Sequence, residues 1–245
     1  MDPATLRDDM VDGLAHESKG VISSESVAMA MRTVPREEFV PDEATAYEDR
    51  PHRFGGATVL SPSLAARLLE ALSLRTGDRV LIVGAGVGYT AALAAEIVGP
   101  TRVHALDIDP RQVRTARSNL RGAGYGAVLV DRDDGGQGLE PYAPFDRILI
   151  EAAVSRPPAP LCRQLRDGGR LVAPILGDPQ ELRSFAGPDP VERLGPVRFR
   201  PLLHPKERPS DRPHNRMRRE DREFAQRDAR ARAGWEHEWI DWDRM

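Results

Sequence analysis

Residues 79–89, Arg-Val-Leu-Ile-Val-Gly-Ala-Gly-Val-Gly-Tyr, constrain the fold more than any other stretch. The apolar run Val80-Leu81-Ile82-Val83 reads as a buried strand. Gly84, Gly86 and Gly88 follow at every second position, which permits a sharp turn and close approach of a ligand to the backbone. Residues 89–98 then read as a helix, stopped by Gly99-Pro100. Strand, glycine loop and helix make the first unit of a nucleotide-binding α/β sheet. A dinucleotide fingerprint, G-x-G-x-x-G, would need its third glycine at position 89, which holds Tyr89, so a nicotinamide-dependent oxidoreductase is disfavoured. The spacing present, G-x-G-x-G, is the form associated with S-adenosylmethionine. Gly84, Ala85, Gly86 and Gly88 are the residues expected against that cofactor.

Two acidic positions extend the pattern. Residues 101–107 read as the next strand, ending in an acid 23 residues after Gly84. Asp107 at its tip is placed to accept hydrogen bonds from ribose hydroxyls. Asp109 is expected to cap the helix that starts at Pro110. Residues 126–130 read as a third strand, followed by Asp133-Asp134-Gly135. An acid there can hydrogen-bond an adenine amino group, which makes Asp134 and Gly135 cofactor candidates. Taken alone, the triplet also fits an ordinary Asp-Gly turn.

The alternation continues with a helix over 111–121, a strand over 144–151, a helix around Leu161 and Leu165, and a strand over 168–175. Residues 181–186 and 197–203 complete the set as an expected antiparallel pair. The sum is a Rossmann-like α/β fold: a mostly parallel seven-stranded sheet with helices on both faces. Ahead of it, residues 5–33 read as helical with a break near Gly20, and Ser24 is a candidate cap for the second helix. Ser61 and Pro62 start a further helix with Leu64, Ala65, Leu68, Leu69 and Leu72 on its apolar face. Three divisions follow: an N-terminal helical segment with a substrate loop over 1–78, part of the same domain; a cofactor-binding core over 79–204; and a charged helical tail over 205–245.

Residues 205–232 carry nine arginines and Lys206 against six acids. Such a segment could be a nucleic-acid arm. The order Glu223/Arg227 and Asp228/Arg232 instead favours a solvated helix face, so nucleic acid is not an expected partner. Trp235, Trp239 and Trp242 share one helical face and are expected to dock on the domain or on a second subunit. The net charge of -3 names no partner. A single cysteine, Cys162, excludes an internal disulfide and a cysteine-built metal site. No apolar run reaches the ~18 residues of a membrane span, and the first residues lack a secretory pattern. A cytoplasmic location is expected.

Several segments, taken in order, resemble the protein-L-isoaspartate O-methyltransferase family over roughly residues 5–203. They are residues 34–41 (Val-Pro-Arg-Glu-Glu-Phe-Val-Pro), residues 46–49, Gly56-Ala57-Thr58, the Gly84 loop, Asp134-Gly135, residues 143–146, Gln164-Leu165, residues 168–172 and residues 197–202. The resemblance implies methyl transfer from S-adenosylmethionine to the α-carboxyl of an L-isoaspartyl residue, a protein-repair reaction, with isoaspartyl proteins or peptides as partners. Thr58 matches the family's threonine. Leu60 stands where the family has a substrate-contacting serine, and Ser61 lies one place later; Thr58 and Ser61 are the implied catalytic contacts. Ile82 stands in place of an acid that helps position the cofactor's methionine end, and Glu151 in place of a threonine. A carboxylate acceptor is already ionised at neutral pH, with an ordinary pKa of about 3.3–4, and needs no general base. That fits a sequence without a Ser/His or His/Asp constellation. The alternatives are a methyltransferase with another acceptor, or a non-catalytic paralogue that binds S-adenosylmethionine. Base methylation is disfavoured, because Glu151-Ala152-Ala153-Val154 replaces the Asn-Pro-Pro-Tyr that serves it.

Overall fold

A computed structural model describes residues 2–54 and 56–203. The tail over 205–245, its three tryptophans and Gly55 lie outside the described residues.

Two helices open the chain, α1 (Pro3–Ala15) and α2 (Glu25–Thr33). Asp2 caps α1 by accepting from the Ala4 N–H. Ser24 stands at the N-cap position of α2 but does not cap it. Its hydroxyl goes instead to Glu70, which also accepts from the Ser23 hydroxyl and both backbone N–H groups. These bonds hold the Glu70 carboxyl below its ordinary range despite its burial.

A short hairpin, β1 (His52–Phe54) with β2 (Ala57–Val59), precedes α3 (Pro62–Leu72). The hairpin has no apolar signature in the sequence and forms a separate two-stranded sheet. The central sheet contains β3 (Val80–Val83), β4 (Val103–Asp107), β5 (Leu129–Arg132), β6 (Phe145–Ile150), β7 (Leu165–Ile175), β8 (Glu181–Ala186) and β9 (Asp189–Pro196). Their spatial order is β5-β4-β3-β6-β7-β8-β9. The pairings from β5 to β7 are parallel, and β7-β8-β9 are antiparallel. The helices α4 (Tyr89–Val98), α5 (Pro110–Gly122) and α6 (Ala159–Gln164) link the parallel strands. Asp109 caps α5 as expected, accepting from the Arg111 N–H at 2.9 Å.

Alternation along the strands splits the core in two. Ile82, Ala105, Leu149 and Val172 face α1 to α5. Leu81, Leu106, Ile148 and Leu171 face the other way, with Phe145 and Leu161. Among the described residues that second face carries only α6 and a 3-10 turn, Glu140–Tyr142. The central helix α4 is buried on nearly every side, because α2 covers the flank turned from the sheet.

Leu165, expected in the helix with Leu161, instead begins β7, which starts three residues before the expected 168. Two further strand expectations change. The third strand lies at Leu129–Arg132 rather than 126–130, because Tyr125 and Val128 close a turn first. The partner of β8 is β9, reached through a two-residue turn with Gly187 at φ 70°. Residues 197–203 instead run extended past the end of β6, with one bridge between Ala153 and Pro201. No helix among the described residues is long and apolar enough to cross a membrane.

Candidate active site

The loop between β3 and α4 is fastened to the strand beside it. The N–H groups of Gly84 and Ala85 both donate to the Leu106 carbonyl at 2.8 Å. Gly84, Gly86 and Gly88 take φ values of 96°, 53° and 93°, a region that strains any residue with a side chain. Gly88 also lies against α5, where a Cβ would sit 3.1 Å from Leu120 Cγ and 3.3 Å from the Ala116 carbonyl. Asn119 of α5 fixes the loop's far side by donating to the Val87 carbonyl at 3.1 Å.

Asp107 ends β4 with its carboxylate turned toward this loop. Oδ2 accepts from the Gly86 N–H at 3.0 Å, and Oδ1 from the Asp109 N–H at 2.8 Å. The two bonds set its orientation at the mouth of a crevice of about 130 Å³ lined by Val83, Gly84, Leu106, Asp107, Gly135 and Leu202. Gly135 is packed so closely that a Cβ would fall 2.3 Å from Val83 Cγ1. Asp134 shapes that turn, its Oδ1 accepting from the Gly136 N–H at 2.9 Å. The structure therefore brings Gly84, Asp107 and Gly135 into one crevice, with Ala85, Gly86, Gly88 and Asp134 in its supporting loops. The extended residues 200–203 form one wall, held by Ala153 N–H to the Arg200 carbonyl at 2.8 Å and Leu202 N–H to the Ala153 carbonyl at 2.9 Å. That wall keeps the volume below the ~300–1,000 Å³ usual for ligand clefts.

The β1–β2 hairpin leans on the glycine loop. The Ala57 Cβ is 3.9 Å from where a Cβ on Gly86 would be. Thr58, next along β2, is exposed and paired opposite Arg53. Ser61 caps α3: its Oγ accepts from the Leu64 N–H at 3.3 Å and lies 3.2 Å from the Ser63 hydroxyl. The residue that sequence reasoning missed is Arg36. It is fully buried, donates Nε to the Ala46 carbonyl and Nη2 to the Leu60 carbonyl, both at 2.7 Å, and lies over the Tyr89 ring. Its sequence signals are an arginine set among Val34, Pro35, Phe39 and Val40 and its place in the family-like segment 34–41.

Glu151 follows β6 and packs on Gly84, whose Cβ would lie 3.4 Å from the Glu151 Cβ. The residue keeps some exposed surface, but Oε1 has none and no hydrogen-bond partner. Burial pushes this carboxyl up to about 8; a side-chain hydrogen bond with Thr90 draws it down and the charge of Asp107 adds to the rise.

The crevice lies where the expected cofactor would bind, although residues 200–203 leave it narrower than such a ligand needs. Gly84, Gly135 and the oriented Asp107 carboxylate line it, and beside Gly84 a buried Glu151 oxygen lacks a hydrogen-bond partner. Comparison with known proteins agrees with that reading. A family model described as protein-L-isoaspartate(D-aspartate) O-methyltransferase matches residues 7–205. The protein-L-isoaspartate O-methyltransferase of Ignicoccus hospitalis is 42% identical over 195 residues, covering 76% of this chain and 92% of its own. That of Roseiflexus castenholzii is 41% identical over 210 residues, covering 83% and 94%. A solved Plasmodium falciparum structure, described as a putative protein-L-isoaspartate O-methyltransferase in complex with S-adenosyl-L-homocysteine, shares the fold at TM-score 0.71 and 24% identity, covering 80% of this chain and 98% of its own. With residues 7–205 matched, this chain belongs to the protein-L-isoaspartate(D-aspartate) O-methyltransferase family.

Proposed function

We propose that this protein transfers a methyl group from S-adenosylmethionine to the α-carboxyl of L-isoaspartyl residues in proteins or peptides. The observation that carries the reading is the contact of the hairpin with the donor loop: the Ala57 Cβ lies 3.9 Å from where a Cβ on Gly86 would be, and Thr58 is the next residue of β2. When bound, the cofactor supplies an electrophilic methyl on a sulfonium. The backbone of Gly84, Ala85, Gly86 and Gly88 would hold its amino-acid end and linker, Asp107 its ribose, and Asp134 with Gly135 its adenine.

The acceptor carboxylate arrives ionised, so no side chain has to remove a proton. The protein's task is alignment of carboxylate oxygen, methyl and sulfur, which can be worth up to ~7–11 kcal/mol. Thr58 offers the acceptor a hydroxyl from the exposed edge of β2. Ser61 adds a second while its oxygen caps α3. Arg36 sets the backbone between them through the Leu60 carbonyl. In this reading residues 79–204 hold the donor and residues 1–78 present the acceptor. The lone cysteine supports a cytoplasmic site of action.

The test is a pair of peptides identical except for an isoaspartyl or an aspartyl linkage. Methyl incorporation that releases methanol in alkali is expected with the isoaspartyl peptide and not with its twin. Equal, background-level incorporation into both overturns the reading.

A further inference from the structure

Glu151 is placed where a ligand, rather than the protein, would complete its bonding. A buried carboxylate oxygen left unpaired is strongly unfavourable unless it finds a proton or a cationic donor. Among the described residues the charge acting on it is that of Asp107, of the same sign, and the Thr90 side chain hydrogen-bonds it. On the strand beside it Ile82 is apolar and buried. Without a cation, a proton fills the vacancy, in keeping with a carboxyl pushed up to about 8.

Position identifies the cation. β4, β3 and β6 are neighbours in the sheet, with Asp107 at the tip of β4 and Glu151 just past the tip of β6. Its N–H donates to the Val83 carbonyl at 2.8 Å, which keeps it beside Gly84 at the head of the loop. A donor whose sugar lies at Asp107 and whose body crosses the end of β3 brings its amino-acid end to Gly84, against which Glu151 packs. That end carries an ammonium with three N–H groups. The sulfonium has no N–H to offer, and Oε1 lacks a hydrogen-bond partner as well as a countercharge.

We propose that Glu151 binds the α-ammonium group of the methyl donor. The inference rests on the donor reading given under Proposed function. Isothermal calorimetry with S-adenosylmethionine, S-adenosylhomocysteine and 5′-methylthioadenosine, on the wild type and on Glu151→Gln and Glu151→Thr, tests it. The first two ligands carry the ammonium, and the third lacks the whole amino-acid end. Both variants are expected to lose about tenfold or more in affinity for the first two and to stay within about twofold for the third, the scale of a charge-assisted hydrogen bond. Circular dichroism melts confirm that each variant is folded, and Glu151→Thr carries the test if the glutamine variant is not. Retained affinity for all three ligands overturns the assignment, as does a loss confined to S-adenosylmethionine or an equal loss for 5′-methylthioadenosine. Wild-type protein that binds none of the three defeats the donor reading itself, a different outcome.

Discussion

Arg36, with no exposed surface, donates from Nη2 to the carbonyl of Leu60 at 2.7 Å. The same guanidinium lies 4.6 Å from the centroid of the Tyr89 ring, so one side chain ties the acceptor loop to the first residue of α4. Lysine cannot reproduce the planar fork. Arg36→Lys is expected to leave a carbonyl unpaired at about 1–3 kcal/mol and to lower the melting temperature. It should also raise KM for the isoaspartyl peptide while donor Kd stays within about twofold. Thermal melts with peptide kinetics check this; a lowered melting point with unchanged KM reduces Arg36 to a stabilising role.

Asp107→Ala removes the acceptor for the Gly86 and Asp109 N–H groups together with the proposed ribose contact. Donor affinity is expected to fall by about tenfold to a hundredfold. Asp107→Asn, with one carbonyl oxygen remaining, should fall between. Calorimetry gives the ranking, and three equal affinities would separate Asp107 from the cofactor.

Gly135→Ala places a methyl on Val83 Cγ1. The turn must move, and donor binding is expected to weaken by more than about tenfold along with a drop in melting temperature. Adding Val83→Ala removes the obstructing atom, so the double variant should recover part of both losses, a coupling that a double-mutant cycle measures.

How much of this could be read from the chain differs by element. β3, its loop and α4 were legible because an apolar run, alternating glycines and a buried helix each leave a local mark. Asp107 was legible because strand length fixes where the tip falls. The hairpin was not, since three-residue strands show no period. β9 was missed for another reason: its residues are mostly exposed and include two prolines, so its pairing comes from β8 and the turn rather than from an apolar face. The Gly187-Pro188 pair was the available signal for that turn. Arg36 was given no role of its own; only tertiary packing brings the Ala46 and Leu60 carbonyls to it. Glu151 was visible as an oddity at the end of β6, but its unpaired oxygen is a fact of three-dimensional packing.

Glu151 also predicts a pH dependence. Its carboxyl is raised from 4.5 to about 8 in the folded, donor-free protein. Between those values the unfolded chain is ionised and the folded chain holds the proton, so each pH unit of rise subtracts about 1.4 kcal/mol of stability through this group. Below the window the effect vanishes; above it the loss is constant. Glu151→Gln removes the slope. Its melting temperature is expected to exceed that of the wild type by a margin that is small near pH 4.5, widens toward pH 8 and then levels off. Parallel melts across that range without donor check it, and a constant margin contradicts it.

Leu60→Ser supplies the hydroxyl that the resembling family carries at this place, at the cost of a partly buried apolar contact. Turnover of the isoaspartyl peptide is expected to rise with donor Kd unchanged. Unaltered kcat/KM in the paired-peptide assay would mean that Thr58 and Ser61 suffice.

The hairpin that presents Thr58 shares no strand with the seven-stranded sheet. Its ladder joins His52, Arg53 and Phe54 only to Val59, Thr58 and Ala57. Drift in these six positions leaves the hydrogen bonds of the central ladder unbroken. Of the six, Ala57 alone is seen to meet the glycine loop, so under the proposed reading the other five can vary with the acceptor while the grip on the donor is inherited.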